Sequence, residues 1–387
     1  MKALTFAFKA LWHRKATSAF IALIWALGLL GLAVTSRLET NVEAQLTRTL
    51  EGTDLLLVAK GSPTQAILAN VFHVDQATGN IARMEADKWL SHPDLKNVRR
   101  LAYGDTYQGV RILGCDSATW NHIPVYSMEG RWPESALEVV ISEGVAQKSG
   151  LQIGDEFHGS HGTVDDLGDH DHHDYRVVGI ATSPAPQWAE MIWTPLESVW
   201  EVHEDSPQEY TAVLAAIPNP MTRLMLPGQI QRSSSLMAIS PAMEANRMVG
   251  WMNQGGAILR MLSVLLTVIA ALSMFLLLQS HIRERLADYA LVRALGGTWS
   301  QIAGLVLGQN LLLALLALAL TYGGLAVAFS TSQAWLPNGV LLYSDLWWNL
   351  EQDLPWLGLS IFLGLFTGIG PWIWLQKIPL HRALVDS

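Results

Sequence analysis

The segment at 158–174, HGSHGTVDDLGDHDHHD, concentrates the chain's metal-ligand chemistry. It carries five of the twelve histidines, His158, His161, His170, His172 and His173, interleaved with Asp165, Asp166, Asp169, Asp171 and Asp174. Imidazole and carboxylate on a hairpin can wrap a divalent transition metal such as zinc, copper or nickel, and the lack of thiolates disfavours a closed structural zinc site. The candidate ligands are the five histidines, with Asp169, Asp171 or Asp174 completing the shell. His172 and His173 point to opposite sides of an extended chain, so one site takes one of them unless the chain turns there. The same composition also describes a solvated hairpin tip, too poor in apolar residues to fold alone. Outside it, His73 and Asp75 would face the same way if extended, but two ligands are too few, and a hydrogen-bonded pair is expected.

Positioning such a loop requires rigid neighbours. Short apolar runs bounded by Gly and Pro surround it: 54–59 (DLLLVA), 98–113 with Gly104-Asp105 and Gly109 as punctuation, 138–142 (EVVIS), 175–180 (YRVVGI) and 211–217 (TAVLAAI). They predict a β-rich module with a helix between strands. The segment 236–253 is expected to be helical.

A second segment, 281–301 (HIRERLADYALVRALGGTWSQ), has the periodicity of an amphipathic helix. Ile282, Leu286, Tyr289 and Val292 form one stripe, and Glu284, Asp288, Leu291 and Leu295 a second that suits a groove taking two leucines flanked by carboxylates. Gly296 and Gly297 should end the helix. The alternative is an amphipathic helix beside the membrane with no partner.

Half of the 387 residues are hydrophobic. Charge-free or apolar runs at 16–36, 257–280, 302–329 and 354–376 each exceed the roughly 18 residues needed to cross ~30 Å of hydrocarbon. Lys2, Lys9, Arg14 and Lys15 precede the first run, Arg283, Arg285 and Arg293 follow the second, and Lys377 and Arg382 follow the fourth. By the positive-inside rule these ends are cytoplasmic. The expected organisation is therefore a cytoplasmic segment 1–15, an external domain 37–256, a cytoplasmic helix 281–297, an acidic external loop 330–353 and a cytoplasmic tail 377–387. The first run is too long for a signal-peptide core and is expected to be an uncleaved anchor.

Residues 37–256 hold 15 Lys and Arg against 28 Asp and Glu. So acidic an exterior argues against nucleic acid and favours cations or basic partners. Cys115 is the single cysteine, which excludes an intrachain disulfide. Leu38, Val42, Leu46 and Leu50 recur every four residues and extend the first span as a stalk; a second stalk precedes the second span, and the pair can carry motion outward. Gln309, Asn310, Gly364, Gly368 and Gly370 within the spans are expected to serve interhelical hydrogen bonding and close packing rather than a transport path.

These segments resemble a known family. Arg285, Asp288 and the run Leu291-Val292-Arg293-Ala294-Leu295-Gly296-Gly297, with Ile302, are similar to the "RxxEIxxLRALGAxxxxI" segment of the FtsX/MacB/LolC superfamily of ABC permeases, with Asp288 in place of Glu. DLLLVAKGSP resembles the first strand of its external domain. The order Gly130-Arg131-Trp132-Pro133, Glu138-Val139-Val140-Ile141-Ser142, Gly154-Asp155, Tyr175 to Ile180 and Pro195-Leu196 resembles the MacB-like periplasmic domain, and Pro379 to Leu384 the C-terminal segment. The resemblance implies four transmembrane helices with one large α+β extracytoplasmic MacB-like domain between spans one and two, in a bacterial inner membrane. It also implies a cytoplasmic ABC ATPase partner that binds ATP and magnesium, a second permease copy as a homodimer, and ATPase coupling through Arg283, Glu284, Arg285, Asp288, Leu291, Arg293 and Leu295.

The chain has no Gly-Lys dipeptide, hence no GxxxxGK[ST] loop, and no GxSxG, HExxH or CxxC, so no ATPase or hydrolase site is expected in it. Three functions are compatible with these features. One is a permease that turns ATP hydrolysis in a partner into movement of its external domain, linked to zinc or another divalent metal and to a periplasmic metal-binding or envelope protein. Another is an extractor of lipoprotein or membrane lipid of the LolC kind, which needs an apolar external groove. The third is a metal-sensing regulator without transport.

Overall fold

A computed structural model describes residues 2–160, 174–202, 207–335 and 350–377. They divide into two compact units, one holding the membrane-type helices and the other the sheet.

The sheet unit contains β1 (Leu55–Val58), β2 (Ile81–Ala82), β3 (Lys96–Tyr107), β4 (Val110–Cys115), β5 (Ser127–Gly130), β6 (Glu138–Ser142), β7 (Glu156–His158), β8 (Asp174–Thr182), β9 (Ile192–Pro195), β10 (Glu209–Tyr210), β11 (Ala212–Ala216) and β12 (Met237–Ile239). One mixed sheet runs β12-β1-β11-β3-β4-β9-β6-β8-β5, with β7 added on β8, while β2 and β10 pair separately. β1 and β9 are buried along their whole length, as strands covered on both faces should be. One core gathers Leu55, Leu57, Val213, Ala215, Leu226 and Ile230; the other gathers Ile112, Val139, Ile141, Phe157, Tyr175 and Ile192.

The β3–β4 hairpin turns at Gln108-Gly109, both at positive φ (49° and 78°), as the tight turn of twisted strands requires. Gly104-Asp105, expected as punctuation, instead lies inside β3 at a register shift between Tyr103 and Thr106. A Cβ on Gly104 would come within 3.2 Å of Val199 Cγ2, so the glycine admits a packed side chain at a bulge rather than ending a strand.

Two local expectations are corrected. Residues 236–253 are not helical throughout: Met237–Ile239 is strand β12, paired with β1 through Leu56 and Ile239, and the helix Pro241–Glu284 begins only at Pro241. Proline lacks the N–H that the first helical turn leaves unpaired, so the helix starts there. His73 and Asp75 do not pair, because His73 is left-handed (φ 57°) rather than extended. Its Nδ1 meets the Tyr103 hydroxyl at 2.5 Å, while Asp75 accepts from the Gln76 N–H.

The helical unit draws on Lys2–His13, Lys15–Leu50, Pro241–Glu284, Leu286–Ala294, Trp299–Trp335 and Leu350–Gln376. Four of these are long and apolar enough to cross a membrane, and the four expected runs fall within them. The 36 residues of Lys15–Leu50 span about 54 Å at 1.5 Å per residue, well beyond the hydrocarbon thickness, and Val42 and Leu46 of the expected seam are buried.

Small residues let these helices approach. A Cβ on Gly28 would lie 2.4 Å from Thr267 Oγ1, and one on Gly364 would lie 3.0 Å from Ala314 Cβ. Trp25, Leu29, Met274 and Leu313 fill the surrounding core. Buried Asn310 donates to Thr367 Oγ1 (3.2 Å), and Gln309 faces His281 Nδ1 (3.4 Å), so both polar side chains join helix to helix. Arg37 and Asp353 form an ion pair with both side chains almost fully buried.

Candidate functional site

In the segment 281–297 the helix is interrupted once. Arg285 has φ −115° and ψ 22°, which separates Pro241–Glu284 from Leu286–Ala294. The expected single helix is thus two, and the break shifts the phase of the second. Ile282 and Tyr289 remain buried, packed with Leu278, Ile302, Val306 and Leu375, but Ala290 takes the inward position expected for Val292.

The C-terminal end matches the glycine signal. Gly296 is left-handed (φ 90°), and the Gly297 N–H donates to the Val292 carbonyl at 2.9 Å. Arg293 donates to the Gly297 carbonyl (2.8 Å) and lies over the Trp299 ring at 4.8 Å, so it braces the turn. Thr298 and Gln301 then exchange hydrogen bonds between side chain and backbone, the reciprocal capping arrangement at the start of the next helix. Arg283 lies over the Trp374 ring at 5.5 Å.

The rigid turn leaves one face uncovered. Leu291 is 54 % exposed and Leu295 80 %, with Asp288 also exposed. Glu284, expected on this face, is bonded instead to Arg14 and accepts from Ser280 Oγ at 3.1 Å. What remains is an apolar pair beside one carboxylate, suited to a groove on another protein.

The second candidate lies at the base of the hairpin between β7 and β8. His158 is opposite Asp174 in the last pair of the ladder, and its Nδ1 lies 2.6 Å from Asp174 Oδ1, both side chains about half exposed. Phe157 stacks on Tyr175 (5.7 Å) and lies against Tyr107 (4.4 Å). Ser160 and Thr106 exchange backbone hydrogen bonds at 2.8 and 3.0 Å, which ties the hairpin to β3. His161, His170, His172, His173, Asp169 and Asp171, with Asp165 and Asp166, lie outside the described residues. Among the described residues no group of three or more His, Cys, Asp or Glu is gathered that could hold a metal. His158 and Asp174 are within hydrogen-bonding distance at the base of the hairpin.

The described residues combine four helices long and apolar enough to cross a membrane with a mixed-sheet domain and an exposed two-leucine face on a short helix. Residues 18–225 match the MacB-like periplasmic core domain and residues 260–378 the FtsX-like permease C-terminal. The chain belongs to the FtsX/MacB-like family of ABC transporter permeases. Permeases of this family work with a cytoplasmic ABC ATPase.

Two solved structures are similar to parts of it. The extracellular domain of the noncanonic ABC-type transporter YknZ from Gram-positive bacteria is 11 % identical, with a TM-score of 0.32, over 48 % of this chain and 98 % of that one. The periplasmic region of MacB from Actinobacillus actinomycetemcomitans is 9 % identical, with a TM-score of 0.34, over 51 % and 95 %. No curated protein matches the chain.

Proposed function

We propose that this chain is the permease subunit of an ABC transporter of the FtsX/MacB type, in which a separate cytoplasmic ATPase binds ATP and magnesium and the permease converts hydrolysis into movement of its sheet domain. The observation that carries the proposal is the exposed Leu291 and Leu295 pair beside Asp288, held at the end of a helix that is buried elsewhere through Tyr289 and Ala290. Leucines this exposed at the end of a braced helix suit a protein groove, and their burial supplies association energy.

Four spans make a poor pathway alone, so the functional unit is two permeases with two ATPase subunits. The basic ends of the apolar runs support a reading with both termini in the cytoplasm and the acidic residues 37–256 in the periplasm of a bacterial inner membrane. The His158–Asp174 pair and the histidines that follow it link the domain to a divalent metal, zinc foremost, or to a metal-carrying periplasmic partner. Extraction of lipid or lipoprotein gains no support from the cavity of the sheet unit, whose wall includes a buried arginine.

The test is ATP hydrolysis by the purified permease–ATPase complex, measured with zinc, with a lipoprotein and with neither. Stimulation by zinc supports the metal-linked permease. Stimulation by lipoprotein alone replaces it with the extractor, and zinc binding without any change in hydrolysis favours a sensor.

A further inference from the structure

The sheet unit has a half-open cavity of about 370 Å³, a volume that suits a small molecule. Arg99 reaches it from β3, on the same strand face as Leu101. Only 5 % of Arg99 is exposed. Its Nη2 donates to Thr53 Oγ1 and to the Gly52 carbonyl (3.3 Å), and its Nε has no hydrogen-bond partner.

Asp116, whose charge acts on Arg99, forms no ion pair with it. Asp116 uses one oxygen on the Arg100 N–H and guanidinium (3.2 Å each) and the other to cap Thr119. A buried cation without an ion-paired carboxylate is costly, and an anionic ligand supplies the missing charge.

The wall also holds acceptors that lack donors. Asn70 is 1 % exposed; its Nδ2 donates to the Ala66 carbonyl (2.9 Å), but its Oδ1 has no partner, and neither has Gln187 Oε1. Both oxygens are themselves shut off from solvent, so they do not reach an occupant. Leu101, Leu214, Val71 and Trp188 provide apolar surface beside them.

We infer that this cavity binds a small carboxylate with an aliphatic side chain, the chemistry of a short peptide's C-terminal end, with Arg99 holding the carboxylate.

The histidine on the wall adds no positive charge of its own. Tyr103 donates its one hydroxyl proton to the Ala69 carbonyl (2.6 Å), so His73 Nδ1 is the donor in their contact. Burial first, then the positive charge of Arg111, lowers the His73 pKa to about 3, so the ring is neutral. Burial likewise lowers Arg99 to about 10, partly offset by Asp116, so it remains a cation at neutral pH. Glu51 and Arg48 line the outer part of the wall, and both are exposed.

The experiment is calorimetry on the full chain in lipid nanodiscs with alanyl-leucine and with its C-terminal amide. The unchanged protein should bind the carboxylate form at least about tenfold more tightly, the size of one charge-assisted contact. Arg99→Gln should remove that preference. If Arg99→Gln does not fold, the preference of the unchanged protein for the carboxylate form decides the matter. Equal affinity of the unchanged protein for the two peptides, or no binding of either at millimolar concentration, overturns the inference.

Discussion

Arg14 and Glu284 form an ion pair between the start of the Lys15–Leu50 helix and the end of Pro241–Glu284, at partly exposed positions. Glu284 therefore braces one long helix against another. Asp288 is left as the exposed carboxylate beside Leu291 and Leu295, one helix beyond the break at Arg285.

Arg37 and Asp353 are the most deeply buried ion pair among the described residues, with side chains 1 % and 2 % exposed. Asp353→Asn leaves the guanidinium without its counter-charge in a dry setting. The expected loss is about 3–5 kcal/mol, whereas Arg37→Met combined with Asp353→Leu should recover most of it. Thermal unfolding of the detergent-solubilised chain measures both variants. Asp353→Asn as stable as the parent would contradict the coupling.

Glu138 accepts two bonds from Arg131 (2.7 and 2.5 Å) and others from the Glu134 and Ser135 N–H groups. The Arg131 hydrogen bonds chiefly, and then those of the backbone, lower its pKa from 4.5 to about 2 against the opposing effect of burial. A carboxylate with a depressed folded-state pKa contributes stability above its unfolded value and loses it as acid protonates it. The melting-temperature gap between the parent and Glu138→Gln should be largest near neutral pH, begin to shrink near pH 4.5 and disappear at about pH 2. A gap that widens in acid would have the wrong sign.

Zinc binding is expected to need the hairpin. Removing residues 159–173 from the full chain should abolish calorimetrically detected zinc binding, and His158→Ala should weaken it. Imidazole ligates only through an unprotonated nitrogen, so affinity should fall as the solution is acidified. Asp174→Asn should weaken zinc less than His158→Ala, because its carboxylate acts through the ring, which it meets at 2.6 Å. Unchanged binding after removal of the hairpin would move the metal elsewhere.

Membrane topology is open to a direct assay. A reporter inserted at position 345 should be external, and one placed after position 382 cytoplasmic. Both on one side would remove a crossing between them.

Much of the sheet was legible because its signals are local. Leu55 to Val58 and Val139 to Ile141 are apolar runs closed by turn residues, and Ser62-Pro63 starts a helix and Gly150 ends one as capping chemistry predicts. The β12 strand was obscured because Met237, Ala238 and Ile239 satisfy a helical pattern equally well, and only pairing with β1 decides the matter. The break at Arg285 has no sequence signal, since no Gly or Pro marks it. Without it, Val292 and Glu284 are assigned to faces they do not occupy. The cavity left one trace: Arg99 shares the phase of Leu101 in β3, a charged residue at an inward position. Its significance depends on Val71, Leu214 and Trp188, which are distant in sequence and meet only in the fold.

The most direct measurement is co-purification of the partner ATPase with the double variant Leu291→Asp and Leu295→Asp. Both side chains are exposed, so the chain should fold and insert as before, while the lost burial of two leucines removes about 3–6 kcal/mol from association. Loss of the ATPase from the purified complex, with permease yield unchanged, is the predicted result. An unchanged ATPase-to-permease ratio in the double variant would contradict the docking face and, with it, the proposed coupling.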